Sequence, residues 1–270
     1  MNFNRHIRRS CAIVLLAVAA QTSAQTGTAP APAPAPGAGT ATVIEPEALE
    51  AMDRMSAALR AMPKLRFDAD TTMEEVLETG QKLQFGGKLE MAARKPNGFK
   101  IIAAADTVHR EFYYNGRTFA MYAPRYRYYA EVPAPPSIGQ TIDKAKTEYG
   151  IELPLVDLFL WDSDQTIRSR IRSAFALRPE TIEGRSCFHY AFRQEKVDWQ
   201  IWIEEGERAL PCKMIVTNTE DPSLPQYVAV LHWRDASTLG DGDFTFTPPA
   251  DARRIDMPGV ARASAQGETK

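Results

Sequence analysis

Between residues 65 and 134 the chain is divided into short segments of strand length, each bounded by turn residues. Within the segments, apolar and polar residues alternate with the period of two that is typical of half-buried strands. Asn115-Gly116 separates two such segments and is a strong signal for a tight hairpin. The pattern predicts successive antiparallel strands over residues 66–77, 82–91, 99–103, 108–114, 118–122 and 126–132.

Helical spacing appears before these strands and again in the middle of the chain. Residues 45–62 carry acidic residues near their start and apolar residues three to four positions apart, which predicts a helix that Pro63 ends. Ser137 can cap a second helix that runs to about Tyr149. The strongly apolar segment 154–161 is expected to be a short helix, either a lid over a cavity or a buried helix. The candidate lid residues are Leu155, Leu158, Phe159 and Trp161.

Strand patterns resume in the last third of the chain, at about residues 174–182, 186–193, 198–204, 212–217, 226–234 and 243–247. The fold class predicted is therefore α+β, with one long antiparallel sheet of about ten or more strands. An N-terminal helix precedes the sheet, and a helical insertion divides it mid-chain.

One face of the second group of strands is markedly apolar and aromatic. A hairpin loop at 193–198 places Phe192 opposite Trp199, and alternation then brings every second residue to the same face. This face suits either an ordinary core or the wall of a ligand pocket. Its candidate ligand-binding residues are Phe188, Tyr190, Phe192, Trp199, Ile201, Ile203 and Met214.

The ends of the chain predict export and flexible flanks. Residues 1–24 combine Arg5, Arg8 and Arg9 with a short apolar run and a small-residue cleavage site at Ala24, as in a signal peptide. The apolar run of about ten residues is too short to span a bilayer. Residues 25–43 are a Pro/Ala-rich linker expected to be disordered, 44–257 form the domain, and 258–270 are a disordered tail.

Charge and motifs exclude several classes of function. Removal of the signal peptide takes away three arginines and no acids from a chain whose net charge is already −2, and nucleic-acid binding needs a basic surface. No serine lies in a G-x-S-x-G motif. His109, His189 and His232 lie in strand patterns without metal-ligand spacing. We therefore expect no catalytic residues, no metal, no cofactor and no enzymatic activity.

Cys187 and Cys212 are the two cysteines left after export, and the sequence leaves their pairing open. An even number of cysteines in an oxidising compartment favours a disulfide. In a flat sheet, however, the predicted register sets them about 9.5 Å apart, two strand spacings, and on opposite faces. A bridge needs less than about 7 Å between Cα atoms.

The order of motifs resembles the LolA/LolB-like superfamily of periplasmic lipoprotein carriers. The motifs are Gly87-Lys-Leu-Glu-Met, Arg94-Lys-Pro-Asn and Tyr114-Asn-Gly-Arg-Thr-Phe. Residues 184–193, 198–204 and 210–216 are similar to a family of predicted periplasmic proteins without an assigned function. The resemblance implies a curved, incomplete antiparallel β-barrel whose helices lie on an apolar concave face and leave a pocket for acyl chains.

On this basis we expect a soluble periplasmic protein that binds a lipid or a lipoprotein acyl chain in envelope transport or homeostasis. The alternative is an envelope sensor or scaffold that binds another protein and fills the cavity with its own side chains. Neither function requires a membrane-spanning segment.

Overall fold

The computed structural model describes residues 43–106, 108–156, 168–257 and 259. The signal peptide, nearly all of the Pro/Ala-rich linker and the tail from residue 260 lie outside the described residues. The described elements, in chain order, are helix α1 (Pro46–Ala61), strands β1 (Lys64–Val76), β2 (Lys82–Arg94), β3 (Gly98–Ala105), β4 (His109–Tyr114), β5 (Thr118–Ala123) and β6 (Tyr128–Pro133), helix α2 (Ile138–Tyr149), and strands β7 (Ser173–Ile182), β8 (Arg185–Arg193), β9 (Val197–Glu204), β10 (Pro211–Asn218), β11 (Gln226–Trp233) and β12 (Arg253–Arg254).

Both helices begin and end where local chemistry favours it. Pro46 occupies the first turn of α1, where its missing N–H costs nothing. The side chain of Ser137 accepts a hydrogen bond from the Gln140 N–H and caps α2, and Gly150 ends α2 in the left-handed conformation with φ 64°. The predicted bounds of the second helix are thus confirmed.

The strands form a single 12-stranded sheet that does not close into a barrel. Its order is β12-β6-β5-β4-β3-β2-β1-β11-β10-β9-β8-β7, so two meanders meet where β1 pairs with β11. All pairs are antiparallel except the short β12, which lies parallel to β6. The sheet is therefore mixed at this one edge. The chain leaves β6 at one side and reaches β7 at the far edge, and α2 lies in this crossover.

Both helices pack on the concave face of the sheet, which carries the main apolar core. This core joins Met55 and Leu59 of α1 and Ile142 of α2 to apolar residues of strands from both meanders, such as Phe67 and Ile201. Helix α1 buries six residues, whereas α2 buries only Thr141, Ile142 and Ala145. The predicted curved α+β sheet with helices on its concave face is confirmed.

The strand expected at residues 243–247 is wrong, because Asp241–Phe244 forms a short 3₁₀ helix instead. The Gly240 N–H donates a hydrogen bond of 2.7 Å to the Asp243 carboxylate, which favours a turn over an extended chain. Phe244 is fully buried beside Ala92 and Leu239 on the convex face. From there the chain continues to β12, so the C-terminal segment lies across the outside of the first meander.

Cys187 and Cys212 form a disulfide with 6.6 Å between their Cα atoms. In a regular register Cys212 would face Ile203 and point to the concave face. The β9–β10 register instead shifts between Pro211 and Lys213, and this bulge turns Cys212 to the convex face, where Cys187 lies. The Cα–Cα distance expected across two strand spacings of a flat, regular sheet therefore does not apply to Cys187 and Cys212.

Candidate functional site

An apolar cavity of about 410 Å³ lies between the first meander and the crossover helix α2. Its volume falls within the range of about 300–1,000 Å³ that small-molecule pockets have. The described lining residues come from α1, β1, β2, the β2–β3 turn, β3, α2 and the segments beside α2. They are Arg60, Leu65, Met91, Ala93, Lys95, Pro96, Phe99, Ile101, Ser137, Ile138, Gly139, Ile142 and Val156.

The floor of the cavity is a row of side chains across three paired strands. Leu65 on β1 is opposite Ala93 on β2, and Ala93 is opposite Phe99 on β3. The next concave pair on β2 and β3 is Met91 with Ile101. Since Ala93 is small and stands between two larger side chains, the row leaves space above its centre.

The opposite wall is the first turn of α2, and hydrogen bonds hold it in place. The Ile138 N–H donates to the Pro96 carbonyl over 3.0 Å, which ties the helix start to the β2–β3 turn. The hydroxyl of Tyr114 donates to the Pro135 carbonyl over 2.6 Å, just before the helix. Thr141, which is 1 % exposed, donates to the Ser137 carbonyl over 2.9 Å. The cavity therefore has a positioned wall on the side of α2.

Two cations, Arg60 and Lys95, are the charged residues in the described part of the lining. The Lys95 ammonium is half-buried and donates a hydrogen bond to the Leu59 carbonyl in the last turn of α1. Burial lowers the pKa of Lys95, and the nearby charge of Arg60 lowers it further. The cavity thus combines apolar walls with a cationic border.

The predicted ligand-binding residues of the second meander share the concave face, as the alternation indicates. Phe192 and Trp199 stack with ring centroids 4.0 Å apart, and both are buried in the main core. Tyr190, Ile201 and Ile203 are also buried, while Phe188 and Met214 are partly buried against the same core. None of the seven lines the cavity described above. Their contact with a ligand stays a prediction.

The sequence pattern did not identify the residues that line the cavity. The alternation of β1 to β3 places them on the concave face, but the same alternation is present in the second meander. Small residues at Ala93 and Gly139 are the signal that could have located the open space.

Of the predicted lid residues, the structure describes only Leu155. Leu155 is buried in the main core, and its neighbour Val156 lines the cavity. Leu158, Phe159 and Trp161 lie outside the described residues. The lid role of this segment stays a prediction.

The three histidines lie on strands, as expected, and two of them bridge elements of the convex side. His232 Nε2 lies 3.1 Å from the Asp70 carboxylate, and Nδ1 lies 3.0 Å from the Glu183 carboxylate. Together these three residues could offer ligands to a metal ion. One ligand atom from each of the three residues lies within 4.8 Å of the others, and each carboxylate contacts a different ring nitrogen of His232. His189 stacks on Trp202 with 3.9 Å between ring centroids. These contacts suit links between strands, and the absence of catalytic and metal sites stays a prediction.

Comparison with known sequences gives the family. The family described as predicted periplasmic protein (DUF2092) matches residues 48–258, and the chain belongs to it. The expected resemblance to such a family and the periplasmic localisation are confirmed. No curated protein matches the sequence. Within the described ranges, no helix is both long enough and apolar enough to cross a membrane.

Among solved structures, the chain is similar to the lipoprotein LppX of Mycobacterium tuberculosis, with 11 % identity, a TM-score of 0.46, and coverage of 73 % of this chain and 100 % of that one. LprF of Mycobacterium bovis shows 14 % identity, a TM-score of 0.44, and coverage of 78 % and 100 %. A putative outer membrane lipoprotein-sorting protein domain of Vibrio parahaemolyticus shows 11 % identity, a TM-score of 0.35, and coverage of 74 % and 96 %. Function therefore has to be inferred from this chain's own residues.

Proposed function

We propose that this periplasmic member of the DUF2092 family binds the acyl chain of a lipid or lipoprotein, in transport or homeostasis of the cell envelope. The observation that carries the proposal is the apolar cavity of about 410 Å³ between β1, β2, β3 and α2. Each methylene group moved from water into such a cavity contributes about 0.8 kcal/mol. A chain of several methylenes therefore supplies enough free energy for binding without any chemical step.

Entry of a chain requires one wall to move, and α2 is the best candidate. Helix α2 buries three residues against the core, half as many as α1. Hydrogen bonds to the Pro96 and Pro135 carbonyls join the start of α2 to the sheet. Because fewer buried residues hold α2 than α1, moving α2 away from the sheet is expected to cost less free energy. The proposed exchange step is an opening of α2 and the segment that follows it.

The direct test is binding of a neutral fluorescent probe, N-phenyl-1-naphthylamine, to the mature chain prepared without detergent. Saturable fluorescence enhancement at one site per chain, reversed by oleate, is the expected result. A folded protein that gives no enhancement, or enhancement that oleate does not reverse, would contradict acyl-chain binding.

The second candidate function is an envelope sensor or scaffold that binds another protein. One observation favours it: the concave face of the second meander is filled by its own large side chains, including Phe192 and Trp199. On this account the cavity at β1 to β3 is a packing defect without a ligand. Absence of probe binding together with crosslinking to one envelope protein in cells would support this candidate.

A further inference from the structure

We infer that the cavity selects acyl ligands with an anionic group, a carboxylate or a phosphate, at the end of the chain, and that Lys95 binds this group. The inference rests on the proposed function, because it assumes that the cavity takes an acyl chain. It adds the chemistry of the head group, at the end of the ligand opposite the buried part of the acyl chain.

The charge of the cavity border favours an anionic head group. Of the lining residues that the structure describes, Arg60 and Lys95 are cationic, Ser137 is polar and neutral, and the others are apolar. Among these described residues, none carries a carboxylate. A ligand with a neutral head would leave the half-buried Lys95 ammonium beside apolar lining residues, whereas an anion would compensate its charge.

The contacts of Lys95 leave hydrogen-bond donors for such a head group. Its ammonium donates one hydrogen bond, to the Leu59 carbonyl. An ammonium has three N–H donors, so two remain for another acceptor. Within the part of the chain that the structure describes, no carboxylate lies within 4.0 Å of the Lys95 ammonium.

A purely structural role for Lys95 would be to stabilise the end of α1. Leu59 lies in the last turn of this helix, which ends at Ala61, and cations are favoured near helix C-termini. That role explains one hydrogen bond but does not require the side chain to line an apolar cavity. Burial and Arg60 both lower the pKa of Lys95, and a bound anion would offset both effects.

The test compares ligands that share a chain and differ in the head group. Oleate is compared with oleyl alcohol, and oleoyl lysophosphatidate with monoolein, by displacement of N-phenyl-1-naphthylamine from the mature chain. We expect each anionic ligand to bind about tenfold more tightly than its neutral partner, a factor that corresponds to about 1.4 kcal/mol. Inorganic phosphate without a chain is expected to displace no probe at millimolar concentration.

Three variants assign the preference to Lys95. Lys95→Met is expected to abolish the preference for the anionic ligand over its neutral partner. Lys95→Arg keeps the charge and is expected to keep the preference. Lys196→Met makes the same change of charge at an exposed lysine that pairs with Glu220, and is expected to behave as wild type.

The possible failures are distinguishable. Equal affinity for oleate and oleyl alcohol in the wild type would overturn the inference and leave acyl-chain binding intact. Loss of thermal stability in Lys95→Met with an unchanged preference would assign Lys95 to the helix end alone. Displacement by inorganic phosphate would point to a free anion as the ligand. Failure of all four acyl ligands would instead contradict the proposed function.

Discussion

Cys187 on β8 and Cys212 on β10 are bonded to each other although β9 pairs with both of their strands. The bulge between Pro211 and Lys213 makes this bond geometrically accessible, since it brings Cys212 to the convex face. Trp202 of β9 packs against the two cysteines on that face. The second meander is thus crosslinked outside its core.

The disulfide is expected to stabilise the domain substantially. It closes a loop with a sequence separation of 25 residues, for which chain entropy predicts about 3 kcal/mol. Replacement of both Cys187 and Cys212 by Ala should lower the free energy of unfolding by about this amount, measured by urea denaturation. Reductant should destabilise the wild type and leave the double variant unchanged. Equal sensitivity of the two proteins to reductant would contradict this account.

Phe244 is expected to stabilise the domain without contributing to ligand binding. Its ring is fully buried on the convex face, on the opposite side of the sheet from the cavity. Phe244→Ala should cost about 3–5 kcal/mol of unfolding free energy, with probe affinity unchanged while the variant is folded. Phe175→Ala, at a ring that is 38 % exposed on the edge strand β7, is the matched control and should cost less than about 1 kcal/mol. A large loss of probe affinity in folded Phe244→Ala would show that the two faces are coupled.

Tyr227 is expected to make the domain sensitive to alkali. Burial raises its pKa from 10.0 to about 12. Between pH 10 and about 12, Tyr227 ionises in the unfolded chain but not in the folded one. Its contribution to the free energy of unfolding is therefore complete below pH 10 and is lost as the pH rises to about 12. Tyr227→Phe should therefore lose less stability than the wild type between pH 9 and 11, measured by thermal unfolding. Tyr126→Phe, at a ring that is 55 % exposed, should follow the wild type. If Tyr227→Phe also follows the wild type, the predicted effect is absent.

Gly139 offers a way to fill the cavity from α2. An added Cβ at Gly139 meets no atom within 4 Å, and the residue lines the cavity. Gly139→Phe should lower probe affinity by about tenfold or more, because the ring takes up space that a ligand needs. Gly139→Ala is the matched control. It should retain affinity and gain up to about 1 kcal/mol of stability from helix propensity. Equal affinities in the two variants would place the probe elsewhere.

Much of the fold could be predicted because local chemistry and the final structure agree. Asn115-Gly116 predicts the β4–β5 hairpin, and Gly116 adopts φ 88° there. Ser137 predicts the start of α2 in the same way. Signals of this kind depend only on neighbouring residues, so they can be recognised without knowledge of the rest of the chain.

Other features depend on residues that are distant in sequence. The bulge at Cys212 follows from how β10 pairs with β9, and Phe244 ends in a 3₁₀ turn because the convex face offers it a buried position. Both meanders contribute apolar residues of their concave faces to the main core. Which half retains a cavity depends on where α1 and α2 lie above the sheet, and periodicity does not specify that placement.

Native mass spectrometry of the mature protein, purified from the periplasm without detergent, tests acyl-chain binding most directly. We expect adducts in the mass range of lipids that are lost on solvent extraction and are strongly reduced in Gly139→Phe but retained in Gly139→Ala. The bare polypeptide mass for the wild type, in protein that also fails to bind added oleate, would contradict acyl-chain binding and favour a protein partner.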